Sequence, residues 1–167
     1  MNKTIDTKNI VSATLLSIEE YEKYGEMIPP VEVPPVEEDW FLRSAGIIDN
    51  TAAVVCGENG HVEDYGYSVN FEFGVRPVLQ ISNPESMNLE SGDTFPFGKQ
   101  TFTYLGEGLA ICNDCIGKCV FRERRKASNA NDYEKSDVKK YVDDWFEKAK
   151  EKEMSGLDEP ELEEPDR

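Results

Sequence analysis

The chain has no apolar run long enough to span a membrane. Its first residues, MNKTIDTKNIVSATLL, hold neither the uninterrupted apolar segment nor the small-residue cleavage site of an export signal. The expected location is therefore cytoplasmic, with no membrane partner. Histidine is nearly absent: His61 stands alone beside a turn, which excludes a two-histidine metal motif. No nucleophile elbow, phosphate-binding glycine loop or solenoid repeat occurs, so no constellation for catalysis can be assembled. Basic residues are scarce as well. Eighteen Lys and Arg face 34 Asp and Glu, for a net charge of −16. Affinity for nucleic acid comes largely from cations that release counterions, so direct nucleic-acid binding is not expected. Such a charge suits solubility first, and otherwise basic partners or mimicry of nucleic acid.

Cysteine is limited to Cys56, Cys112, Cys115 and Cys119. The stretch CNDCIGKC sets three thiols at C-x2-C-x3-C spacing, which would suit zinc or an iron–sulfur cluster with Cys56 as fourth ligand. A second C-x2-C pair is missing, and GLAICND reads as a strand leaving a core, where cysteine behaves as a small hydrophobe. No metal and no cofactor are assigned.

What is present suits one globular domain. The 167 residues are 38% hydrophobic and 10% aromatic, enough for a real core. The domain is placed at residues 1–153, expected to be monomeric. The remainder, 154–167, holds six acids against Arg167 and reads as a disordered acidic tail. SIEEYEKYG predicts a short helix, with Ser17 and Glu20 at capping-box spacing and Gly25 as its stop. Four prolines between Pro29 and Pro35 predict an extended connector. WFLRS, AAVVC, HVEDYG, YSVNF and GVRPVLQIS then predict short strands, with GENG as a hairpin turn. More strands are expected in TFPFGKQTFTYLG and LAIC. From Ser136 as N-cap, the positions Val138, Tyr141, Val142, Trp145, Phe146 and Ala149 trace one face of a final helix.

Two arginines interrupt apolar strands: Arg43 after Trp40, Phe41 and Leu42, and Arg76 within GVRPVLQIS. The segments WFLRSAG, AAVVCGENGHVEDYG and GVRPVLQIS resemble a bacterial domain family of unknown function, whose pattern runs WWLRSPG, a glycine-rich hairpin and GVRPAL. Relatives of that family have the C-type-lectin-like fold. Formylglycine-generating enzymes and the variable proteins of diversity-generating retroelements share it. LLSIEEYEKY, FGKQTFTYLGEGLAICND and NDYEKSDVKKYVDDWF extend the resemblance over roughly residues 10–150. The two halves, 10–82 and 93–150, stand in exchanged order, so the resemblance implies a circular permutant with residues 83–92 joining the old ends. It further implies that a strand within Gly74–Ser82 lies antiparallel to one within Thr94–Leu105, joined by the Asn83–Asp93 connector, because the fold pairs its first and last strands. The expected fold class is thus α+β, C-type-lectin-like and permuted. Trp40, Arg43 and Arg76 are read as structural. Each guanidinium is expected to staple crossing segments through carbonyls or carboxylates, with Asp39, Asp64 and Glu72 as candidate partners.

The sugar-binding and formylglycine motifs of the relatives are not matched by SNPE, ICND or the cysteines, so neither activity is carried over. The resemblance to the variable proteins implies a non-catalytic binding module from a phage, prophage or other mobile element, cytoplasmic or associated with a virion. Its ligand face would carry Tyr65, Tyr67, Asn70, Phe71 and Glu72, with Asn50 and His61 at the rim and Asp49 and Asp64 nearby. Tyrosine and asparagine supply rigid contact area and adaptable hydrogen bonds for a protein or glycan ligand. The alternative is an acidic intracellular inhibitor of a nucleic-acid-binding or host-defence protein, in which RERRK is the one basic cluster.

Overall fold

Ser17 starts the first helix, α1 (Ile18–Tyr24), for a local reason. Its Oγ accepts the Glu20 amide at 3.1 Å, while Glu20 Oε1 accepts the Ser17 amide at 2.9 Å, the reciprocal cap that the spacing predicts. Gly25 does not end α1 in a left-handed turn. Its φ of −51° stays right-handed, and the chain tightens into a 3-10 turn over Gly25–Met27. The last helix, α2 (Asp137–Asp158), begins where Ser136 Oγ accepts the Lys139 amide at 3.0 Å. Val138, Val142, Phe146 and Ala149 are buried along the predicted face, with Tyr141 and Trp145 half-buried at its margins. This helix continues to Asp158, so the start of the stretch read as a disordered tail is helical.

The computed structural model describes residues 3–31, 39–122 and 131–158; positions 159–167, most of the proline run and residues 123–126 of RERRK lie outside them. Over the described residues the architecture is mixed α+β, two helices with two five-stranded sheets. The first sheet is antiparallel throughout, in the order β1 (Ile10–Thr14), β6 (Val78–Ile81), β9 (Leu109–Cys112), β8 (Gln100–Gly106), β7 (Thr94–Phe97). The second runs β10 (Gly117–Val120), β5 (Glu72–Val75), β2 (Trp40–Ala45), β3 (Thr51–Val55), β4 (Val62–Ser68); only β5 and β2 are parallel. GENG makes the predicted hairpin, with Val55 opposite Val62.

Three expectations are corrected. HVEDYG and YSVNF do not form two strands, because β4 runs through Gly66 without a break. GVRPVLQIS is not one strand. Pro77 has no amide to donate and disfavours helical backbone at Arg76, so the chain leaves the second sheet after Val75 and enters the first at Val78. Nor does β6 pair with a strand of residues 94–105. Its neighbours are β1 and β9; β7 runs antiparallel to it in the same sheet but two strands further on. The connector from Asn83 reaches across, using left-handed backbone at Asn83 and Asn88 and packing Met87 and Leu89 on the core.

Three apolar clusters hold these layers. Phe95, Phe97 and Phe102 of the first sheet meet Phe146 and Ala149 of α2. Phe41, Val54, Val75 and Phe121 meet Val138 and Val142 of the same helix. Leu16, Tyr24, Trp40, Val55, Val78 and Ile111 pack where α1 adjoins both sheets. One long helix therefore closes two clusters and the short one caps the third. Among the described residues no helix is long and apolar enough to cross a membrane.

Candidate functional site

The two arginines serve different junctions. Arg76 is 2% exposed. Its Nε donates to the Cys112 carbonyl at 2.7 Å, and its Nη2 donates to the Asn113 carbonyl at 2.9 Å and to the Pro29 carbonyl. The guanidinium lies over the Trp40 ring, 5.1 Å from its centroid. It thus ties the crossover between sheets to the end of β9 and to the segment after α1. Arg43 donates from Nη1 to the Leu15 carbonyl at 2.6 Å and to Glu20 Oε1 at 2.7 Å, while Nη2 reaches Glu20 Oε2 at 3.3 Å. The expected carboxylate partners Asp39, Asp64 and Glu72 are not used by either. Asp39 instead accepts the Gly57 amide at 2.9 Å. Glu20 serves both the helix cap and Arg43. Burial pushes its carboxyl up, but the bonds from Arg43 and Ser17 and the charge of Arg43 outweigh this and hold it below the usual value.

The cysteine run does not converge. Cys112 packs in the cluster around Phe95, Cys119 against the cluster around Phe41, and Cys115 against the cluster around Trp40. Cys112 ends β9, Cys115 lies in the connection and Cys119 is in β10, so the three thiols go to three places. Burial pushes the Cys112 and Cys119 thiols up to about 12, so both stay protonated. Among the described residues no group of three or more His, Cys, Asp or Glu is placed to hold a metal.

The predicted ligand face divides. Tyr65 is 65% exposed and Phe71 54% exposed, as a contact surface needs. Tyr67 is turned inward, its ring 5.1 Å from that of Phe73, and burial raises its hydroxyl pKa. Asn50 and His61 do not share a rim. Asn50 precedes β3 at the end where Thr51 faces Ser68, while His61 follows the GENG turn at the other end of the hairpin. Asn70 is exposed in the turn after β4. Glu72 opens β5 opposite Val120, on the β10 side of the sheet. The alternation expected of a flat strand fails because β4 bulges: Ala52 faces Tyr67 and Val54 faces Glu63, leaving extra residues on β4 between them.

That bulge builds a surface that sequence reasoning missed. The turn over residues 46–50 lies along it, with the Ile47 amide donating to the Asp64 carbonyl at 2.9 Å and the Ile48 amide to the Tyr65 carbonyl at 3.2 Å. Thr51 Oγ1 donates to the Ile48 and Tyr65 carbonyls, fastening the same place. Close approach is possible only because Gly46 and Gly66 face each other; a Cβ on Gly66 would meet the Gly46 Cα at 2.9 Å. Pinned by its backbone, the turn leaves Ile47 67% and Ile48 54% exposed beside Tyr65. Asp49, Glu63 and Asp64 are exposed around them. Between Arg43 and Arg76 the chain has five acids and no lysine or arginine, and both flanking arginines are committed to the interior contacts described above. The signal in the sequence was the pair of isoleucines in AGIIDN: two β-branched residues between turn formers cannot both reach a core.

No family model, no curated protein and no solved structure matches this chain, so its site is known by its own geometry.

Proposed function

We propose that the protein is a non-catalytic binding module whose contact surface is the apolar patch of Ile47, Ile48 and Tyr65, extended by Phe71 in the next turn. The observation that carries this reading is the backbone pinning of that patch. Four bonds and two apposed glycines hold apolar side chains out in water on an edge strand, where a protein without a partner gains nothing from them. The aliphatic pair favours a protein partner over a glycan, since sugar recognition relies on flat aromatic faces and dense polar groups. An acidic rim around an apolar centre fits a partner whose own apolar surface is ringed by lysine and arginine. The scaffold is read as a permuted C-type-lectin-like domain, on the strength of the WFLRS and GVRP arginines and the exchanged halves.

The cation-free stretch between Arg43 and Arg76 also favours the second reading, an acidic inhibitor of a nucleic-acid-binding protein. Partner capture with wild type and with an Ile47→Ala, Ile48→Ala, Tyr65→Ala variant separates the two. The module reading expects the variant to lose the partner at constant salt. Capture that survives the variant but is released by salt supports the inhibitor instead.

A further inference from the structure

Beside Arg76 lies a cavity of about 410 Å³, walled by Ile28, Pro29, Val31 and Trp40 and bordered by the turn Gly57–Gly60. Tyr21 stands over it edge-on to Trp40, with ring centroids 5.7 Å apart, and its hydroxyl donates to the Gly60 carbonyl at 2.8 Å. A guanidinium has five N–H donors. Three of those of Arg76 are taken by the carbonyls of Cys112, Asn113 and Pro29. Among the described residues its Nη1 makes no hydrogen bond, and no carboxylate oxygen lies within ion-pair distance of it. Carbonyl dipoles and the Trp40 face solvate the charge, and the Asp114 carboxylate acts on it without touching it. Desolvation accordingly pushes the guanidinium pKa below its ordinary value. A cation this buried has donors to spare and a cavity next to it, and among the described residues no carboxylate is in contact with it.

We infer that this cavity binds a carboxylate carried on a short apolar stem, with Arg76 Nη1 donating to the carboxylate and the stem lying against Ile28, Pro29, Val31 and Trp40. The charge selects the class: one guanidinium balances a monoanion, and the exposed Glu58 on the cavity's border disfavours a dianion such as phosphate. The apolar walls select a stem over bare acetate, and the volume lies in the range of small-ligand pockets. A free short-chain acid and the carboxyl terminus of a peptide share this chemistry.

The two tryptophans supply a built-in control, because Trp40 walls the cavity while Trp145 packs against the cluster around Phe97. The experiment is a 15N–1H titration of the wild-type chain with propionate, butyrate and an N-acetylated Ala-Ala-Val peptide as acid and as amide, at fixed ionic strength. The expected result is a saturable shift of the Trp40 indole and of the Gly57–Gly60 amides, with Trp145 unmoved. Tighter binding of the peptide acid than of propionate identifies a chain terminus as the source; the reverse order identifies a free acid. Glu58→Gln, a change at an exposed side chain, should tighten binding several-fold and Glu58→Lys further. Equal shifts with sodium chloride, equal binding of the peptide amide, or indifference to Glu58 would each overturn the inference. The patch variant should bind these acids as wild type does, so failure here and failure of the proposed contact surface are told apart.

Discussion

Two regions of this molecule invert the usual division between inside and outside. At the crossover from β5 to β6 a cation is buried, and at the turn over residues 46–50 two isoleucines and a tyrosine are exposed. The inversions differ in how the chain answers them. Around Arg76, carbonyls from two other segments and an indole face close on the charge. Around Ile47 and Ile48, every nearby hydrogen bond is spent on backbone, and nothing covers the side chains. A misfit answered mainly from within is part of the scaffold, and at Arg76 only the Nη1 donors are left for a ligand. One left unanswered on a rigid frame calls for something outside. Substitutions at the first should therefore cost stability, and at the second only binding.

The largest effect is expected at Arg76→Ala. It strands the Cys112, Asn113 and Pro29 carbonyls and removes the ring contact, for a loss of about 2–4 kcal/mol by denaturant titration. If this variant unfolds like wild type, the contrast between the two regions collapses. Arg43→Ala should cost less, about 1–2 kcal/mol, because its pair with Glu20 is partly open to solvent and screened. Tyr67→Ala sharpens the boundary of the contact surface. Its ring packs on Phe73, so the variant should lower the melting temperature while leaving partner capture intact, the opposite of Tyr65→Ala. Each of Ile47→Ala, Ile48→Ala and Tyr65→Ala should weaken capture by about 1 kcal/mol or more with the melting temperature unchanged.

The smallest effect is a pH dependence. The Glu20 carboxyl has a lowered pKa in the folded chain, so its stabilisation is present above the ordinary carboxylate range and is lost as pH falls through the folded value. Melting temperatures of wild type and Glu20→Gln should differ near neutrality and converge in acid. A difference independent of pH would mean that Glu20 acts only as a cap.

What the sequence disclosed was local. Ser17 and Glu20 cap within four residues, GENG turns within four, and the α2 stripe repeats at helical period, so each could be read without knowing its neighbours. What stayed hidden depends on partners distant along the chain. IVSAT is too short and mixed to announce a strand, yet pairing with β6 makes it one. GKCV was read for its thiol, and it is β10 because β5 lies beside it. The partner of Arg43 was concealed because Glu20 already had a visible local task. The contact surface was half legible: the tyrosines stood out by type, but only the bulge in β4 decides that Tyr65 faces water and Tyr67 does not. Chain pattern shows which side chains suit a face, and the register decides which of them reach it.

The Arg76–Pro77 step also bears on how the molecule comes apart. Val75 is the last residue of β5 and Val78 the first of β6, so at this crossing only two residues separate one sheet from the other. Neither sheet can peel away as an autonomous foldon, since fraying β5 drags on β6 and on the end of β9 that Arg76 holds. Amide exchange in both sheets should thereby follow one global opening, and calorimetry should show a single cooperative transition.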